Sequence, residues 1–61
     1  MQYLTVQESV RRLRAAGFQA GTKTVLGWVR EHKVRDVLVL GRHTFIYEGE
    51  LEALIARERH A

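Results

Sequence analysis

Residues 22 to 47 place one helical segment directly before two β-forming runs, and that succession does most to narrow the folds open to the chain. At about 100° per residue, Val25, Trp28 and Val29 share one face of a helix. Lys23, Gly27 and Arg30 fall on the opposite face. The spacing predicts a helix over residues 22–32, opened at Gly21 or Thr22. After a loop from Lys33 to Asp36, Val37-Leu38-Val39-Leu40 and Thr44-Phe45-Ile46-Tyr47 flank Gly41-Arg42-His43. β-Branched and aromatic runs around a glycine-containing turn predict a hairpin over residues 37–47.

A second helix precedes this unit. Thr5-Val6-Gln7-Glu8 has the form of a capping box, in which Thr5 accepts the Glu8 N–H and Glu8 reaches back to Thr5. The helix runs over residues 5–16 with Val6, Val10 and Leu13 on one face. Gly17 stands where a left-handed C-terminal residue belongs. Arg11 and Arg12 point outward and Arg14 lies near the edge. Phe18 to Gly21 form the turn, with Phe18 plugging the core. A last helix opens at Glu48 or Gly49 and covers residues 49–58, with Leu51, Leu54 and Ile55 as its core stripe. Its acidic start (Glu48, Glu50, Glu52) and basic end (Arg57, Arg59, His60) complement the helix dipole. Arg57 to Ala61 form a short basic tail if that end frays.

The expected class is α+β, mainly helical, in a single domain over residues 1–61. It comprises two N-terminal helices, a two-stranded hairpin and a C-terminal helix, the plan of a winged helix-turn-helix. A 61-residue chain buries only about 60% of its unfolded surface, so its stability rests on a small core. The chain has no cysteine, which removes disulfides and thiolate metal sites and suits a reducing cytoplasm. No apolar run approaches the roughly 18 residues of a membrane span, and Met1-Gln2-Tyr3 lacks the basic start of a signal peptide. A soluble cytoplasmic protein without membrane contact is expected.

Ten Lys and Arg against seven Asp and Glu leave a net charge of +3, which suits an anionic partner. On the second helix, Lys23 and Arg30 can reach base edges or phosphates, with Thr22 and Thr24 beside them. Gly27 costs a helix interior about 0.5–1 kcal/mol relative to alanine. Either it lets the helix axis approach a duplex closely, or it is a neutral surface or helix-contact glycine. Leu26, at the edge of this face, is set to touch a thymine methyl or, preferably, to be partly buried in the core. Arg42 at the hairpin turn suits a narrow minor groove and His43 a phosphate, against solvated turn charges as the plainer reading. Trp28 belongs to the core rather than to a base-stacking site. Phe45 and Tyr47 face away from Ile46, toward a neighbouring protomer or the last helix.

An enzyme is not expected. Ser9 is the only serine and Asp36 the only aspartate, and neither has a histidine at a suggestive spacing. His32, His43 and His60 fall in three different segments, which supports neither a metal site nor, with no glycine-rich phosphate loop, a cofactor or small-molecule substrate.

Tyr3-Leu4-Thr5-Val6-Gln7-Glu8 followed by Thr24-Val25-Leu26-Gly27-Trp28-Val29-Arg30-Glu31 resembles the phage excisionases, or recombination directionality factors. Gly41-Arg42 and Leu51 fit the same pattern, and the likeness spans about residues 3 to 55. The shorter N-terminal motif is shared with the wider group of MerR-like winged-helix regulators. The resemblance implies a non-catalytic protein of the host bacterial cytoplasm. It would bind repeated sites on double-stranded DNA cooperatively with neighbouring protomers, bend the duplex, and direct a phage integrase toward excision. It places base reading on Lys23, Gly27 and Arg30 and the minor-groove contact on Arg42. Related helices often carry arginine where this chain has Leu26 and Gly27, so the base reading differs. A small transcription regulator and, from another class, a protein-interaction module using the hairpin edge or last helix are the alternatives.

Overall fold

Thr5 caps the first helix as expected, but it does so as the last residue of a strand. The computed structural model describes residues 2–59. Its elements are β1 Tyr3–Thr5, α1 Val6–Ala15, α2 Thr22–Arg30, β2 Val37–Leu40, β3 His43–Tyr47 and α3 Glu48–Arg59. The α+β class therefore stands, as three helices with a three-stranded antiparallel sheet of order β1-β3-β2. The hairpin is thus not two-stranded in isolation, because β1 covers the other side of β3.

The sheet register explains the core. Leu4 on β1 and Val37 on β2 both lie opposite Ile46 on the central strand. Leu4 and Ile46 are buried with Val10, Leu13, Ala20, Val25, Val34, Leu51 and Leu54, while Val6, Phe18, Trp28, Val29, Val37 and Ile55 pack around them. Side chains alternate across a strand, so Phe45 and Tyr47 turn to the other face. There Tyr47 meets Tyr3 with ring centroids 5.5 Å apart, and Phe45 lies 6.4 Å from His43.

Both α1 and α2 stop earlier than expected from the sequence, and by the same device. At the end of α1, Gly17 N–H donates to the Arg14 carbonyl and Phe18 N–H to the Leu13 carbonyl. At the end of α2, His32 N–H donates to Val29 and Lys33 N–H to Trp28. This paired pattern needs a left-handed residue just past the cap. Gly17 supplies it at φ 96°, and His32 supplies it at φ 62° despite its side chain. The expected helix over 22–32 therefore closes at Arg30, and that over 5–16 is confined to Val6–Ala15.

Local polar contacts tie the elements together. Thr5 Oγ1 accepts the Glu8 N–H at 3.1 Å, whereas the Glu8 carboxylate turns to Arg11 at 3.3 Å instead of completing the capping box. Buried Ser9 donates to the Thr5 carbonyl at 3.0 Å, which satisfies the one buried polar side chain among the described residues. Arg14 Nε donates to the Ala20 carbonyl at 3.2 Å, pinning the turn before α2 to α1. Arg12 does not simply point outward: it is half-buried, 3.6 Å from Glu48. Helix α3 opens at Glu48, whose N–H donates to the Gln2 carbonyl at 2.9 Å, and runs one residue past the expected 49–58 at its far end. His60 and Ala61, the end of the expected basic tail, lie outside the described residues.

Candidate nucleic-acid interface

Helix α2 buries Val25 and half-buries Trp28 and Val29, and so turns a fixed face outward. Lys23 and Arg30 stand exposed near the middle of that face, with Gly27 half-exposed between them. Thr22 is exposed at the first turn, and exposed Thr24 lies on the flank beside Trp28. A Cβ built on Gly27 meets nothing within 4 Å, so no contact inside the protein requires glycine there. Leu26 is partly buried, as expected, but it is not among the residues packed against the core cluster. It is 37% exposed, on the same side of α2 as Lys23 and Arg30.

The hairpin turn is built so that a cation occupies its tip. Leu40 pairs with His43, leaving Gly41 and Arg42 as a two-residue connection. Gly41 has φ 62° and Arg42 is not in the positive-φ region, the pattern of a type II′ turn, in which the first central position favours glycine. Arg42 is exposed at the second position. His43, read from sequence as part of the turn, is instead the exposed first residue of β3.

These two features face one another. An open groove of about 420 Å³ is lined by Thr5, Val6 and Gln7 at the β1–α1 junction, Leu26 on α2, and Arg42, His43, Thr44 and Phe45 on the hairpin. Arg42 and His43 thus stand across a groove from α2, with Lys23 and Arg30 on the adjoining helical face. Thr22, Lys23, Thr24, Gly27 and Arg30 do not line the groove. Sequence reasoning missed Thr5, Gln7 and Thr44, whose place depends on the pairing of β1 with β3.

Charge sharpens the asymmetry. Among the described residues the ion pairs are Arg11 with Glu8 and Arg12 with Glu48, so Lys23, Arg30 and Arg42 carry no acidic partner. A larger open depression of about 710 Å³ near the end of α3 mixes Lys33, Arg35 and Arg57 with Glu50 and Glu58. Glu50 there accepts the Arg35 backbone N–H at 3.0 Å. That depression thus holds carboxylates beside its cations, whereas the lining of the groove at the hairpin tip includes no acidic residue.

Among the described residues, no three His, Asp or Glu side chains gather closely enough to hold a metal ion. No described helix is long and apolar enough to cross a membrane. Comparison with known proteins finds no matching family model, and no significantly similar curated sequence or solved structure.

Proposed function

We propose that this chain is a sequence-specific architectural protein of duplex DNA, built as a winged helix-turn-helix, in which α2 enters the major groove and the β2–β3 hairpin serves as the wing. One observation carries the reading: Leu26 on α2 and Arg42 at the hairpin tip line one groove, and Arg42, like Lys23 and Arg30 on the exposed side of α2, has no acidic partner among the described residues. Two cationic elements separated by a groove suit adjacent grooves of a duplex, with the intervening sugar–phosphate strand passing between them. In this reading Lys23 and Arg30, flanked by Thr22 and Thr24, meet base edges and phosphates. Gly27 brings the helix axis close, Arg42 enters the minor groove, and His43 bonds a phosphate.

The resemblance to excisionases extends the proposal to a protein that occupies neighbouring sites cooperatively, bends the duplex and directs a phage integrase toward excision. A small module makes few contacts, so isolated sites bind weakly and adjoining protomers supply the remaining energy. A mobility-shift titration with circularly permuted probes from around the gene tests this. Stepwise cooperative shifts whose mobility depends on site position support excision-type bending. A single, position-independent shift indicates an ordinary transcription regulator.

One observation favours a second reading, a protein-interaction module. Strand β2 lies at a sheet edge, with Leu38, Val39 and Leu40 exposed by 40%, 60% and 57%. An apolar, uncharged edge can pair with another chain. Failure to retard duplex DNA at low salt would transfer the assignment to this surface.

A further inference from the structure

We infer that Leu26 is a specificity-determining residue that selects thymine through its C5 methyl group. The inference rests on the DNA-binding reading above and names what one position of that interface recognises. Leu26 lies three residues after Lys23 and four before Arg30, so the three side chains neighbour one another on the helix surface. Both neighbours are exposed cations without acidic partners among the described residues. Leu26 keeps 37% of its surface exposed and lines the groove beside the hairpin, so part of a large apolar side chain lies open between two cations.

The chemistry of base edges restricts what it can meet. In the major groove every base pair presents hydrogen-bond donors and acceptors, and the thymine methyl is the one apolar group among them. Leucine cannot donate or accept. Laid on an amino or keto group, it displaces water and replaces no hydrogen bond, which penalises the wrong base. Laid on a methyl, it gains contact and loses nothing. Leu26 also lines the groove opposite Arg42, which places the contact on the hairpin side of α2, beside the strand that passes between the two elements.

Uracil pairs as thymine does but lacks the methyl, so it isolates this contact. Duplexes are first enriched from a random-sequence pool by the wild-type protein. The winning duplex is then remade with uracil at one thymine at a time, and titrated with wild-type, Leu26→Ala and Leu26→Met proteins. Circular dichroism shows whether the variants are folded. One uracil position should weaken wild-type binding roughly threefold to fourfold, the worth of one buried methyl group. Leu26→Ala should bind the thymine and uracil duplexes alike, while Leu26→Met, still apolar, keeps the difference. Uracil that is harmless everywhere, or equally harmful to wild type and Leu26→Ala, overturns the thymine assignment and leaves DNA binding standing. If the pool yields no enriched sequence and no duplex is retarded, both the DNA reading and this inference fall.

Discussion

Salt dependence separates cations that meet phosphate from cations that merely keep the chain soluble. Among the described residues Lys23 and Arg30 on the exposed side of α2 and Arg42 at the hairpin tip lack acidic partners, whereas Arg11 is held by Glu8 at 3.3 Å on the surface of α1. Each phosphate neutralised contributes about −0.9 to the slope of log affinity against log salt. Neutralising all three cations should therefore flatten the slope by about 2.7. Over a roughly fourfold rise in salt, each contact accounts for a loss of about 3.5-fold and the three together for about 40-fold. The assay is a fluorescence-anisotropy titration of one duplex at four or more salt concentrations, with wild type, the three single alanine variants and the triple variant. Arg11→Ala is the control, since its guanidinium stands apart from the groove. An unchanged slope in the triple variant, or an equal flattening in Arg11→Ala, would refute the placement of the duplex. A base-edge role for Arg30 would appear differently, as weaker binding to the preferred sequence with less change in slope.

Three further outcomes follow from local geometry. Gly27→Ala should raise stability by about 0.5–1 kcal/mol in thermal melts, because the helix interior gains alanine and the new methyl meets nothing within 4 Å. The same variant should bind duplex DNA more weakly, since the helix axis can no longer approach as closely; unchanged affinity would make Gly27 a neutral surface residue. His32→Gly should stabilise the fold by about 1 kcal/mol in urea denaturation by relieving the left-handed backbone at φ 62°, and a loss of stability would mean that the imidazole itself is needed. Tyr3 donates its hydroxyl to Asp36 at 2.8 Å, and that bond, with lesser help from desolvation and the Asp36 charge, raises its pKa above the ordinary 10.0. A raised folded-state pKa means that the contact supports the fold below pH 10 and is lost as pH climbs through the raised value. Tyrosinate absorbance should show one late-ionising tyrosine, and Asp36→Asn should bring it back toward the ordinary range.

What was legible in the sequence is what depends on near neighbours. Thr5 and Glu8 are three residues apart, and the cap forms. Gly17 and Gly41 both adopt the positive φ that their turns require. The outward placement of Lys23 and Arg30 needs only the helical period. Strand β1 was missed because three residues are too few to display a period, and because its partner lies more than forty residues away, Tyr3 opposite Tyr47. The early end of α2 was missed because a histidine occupies a position that usually announces itself as glycine. Leu26 keeps part of its surface open because its position falls at the edge of the face that Val25, Trp28 and Val29 fill. The groove inherits these gaps: its cation Arg42 was legible, whereas Thr5, Gln7 and Thr44 come together only through the sheet.

Strand β1 matters to the site for the same reason that it was hard to see. No residue separates it from α1: Thr5 ends the strand, caps the helix, and lies opposite Phe45 in the sheet. Helix α1 packs against α2, and β3 carries the hairpin, so a single backbone junction links both walls of the groove. Leu4 and Ile46, paired across β1 and β3 and both buried, hold that junction from beneath. Tyr3 and Tyr47 close it from the other face, and the Tyr3 hydroxyl reaches the start of the hairpin at Asp36. A free hairpin of this length is marginal in water, and its tip would sample many positions relative to α2. Tied to β1, the tip is set by core packing rather than by the Lys33–Asp36 loop. Pre-set spacing reduces the ordering cost of binding, which weighs most in a small protein with few contacts to offer. The distance from Arg42 to the outer face of α2 is thus a property of the core, and substitutions beneath the sheet should alter binding without touching the groove.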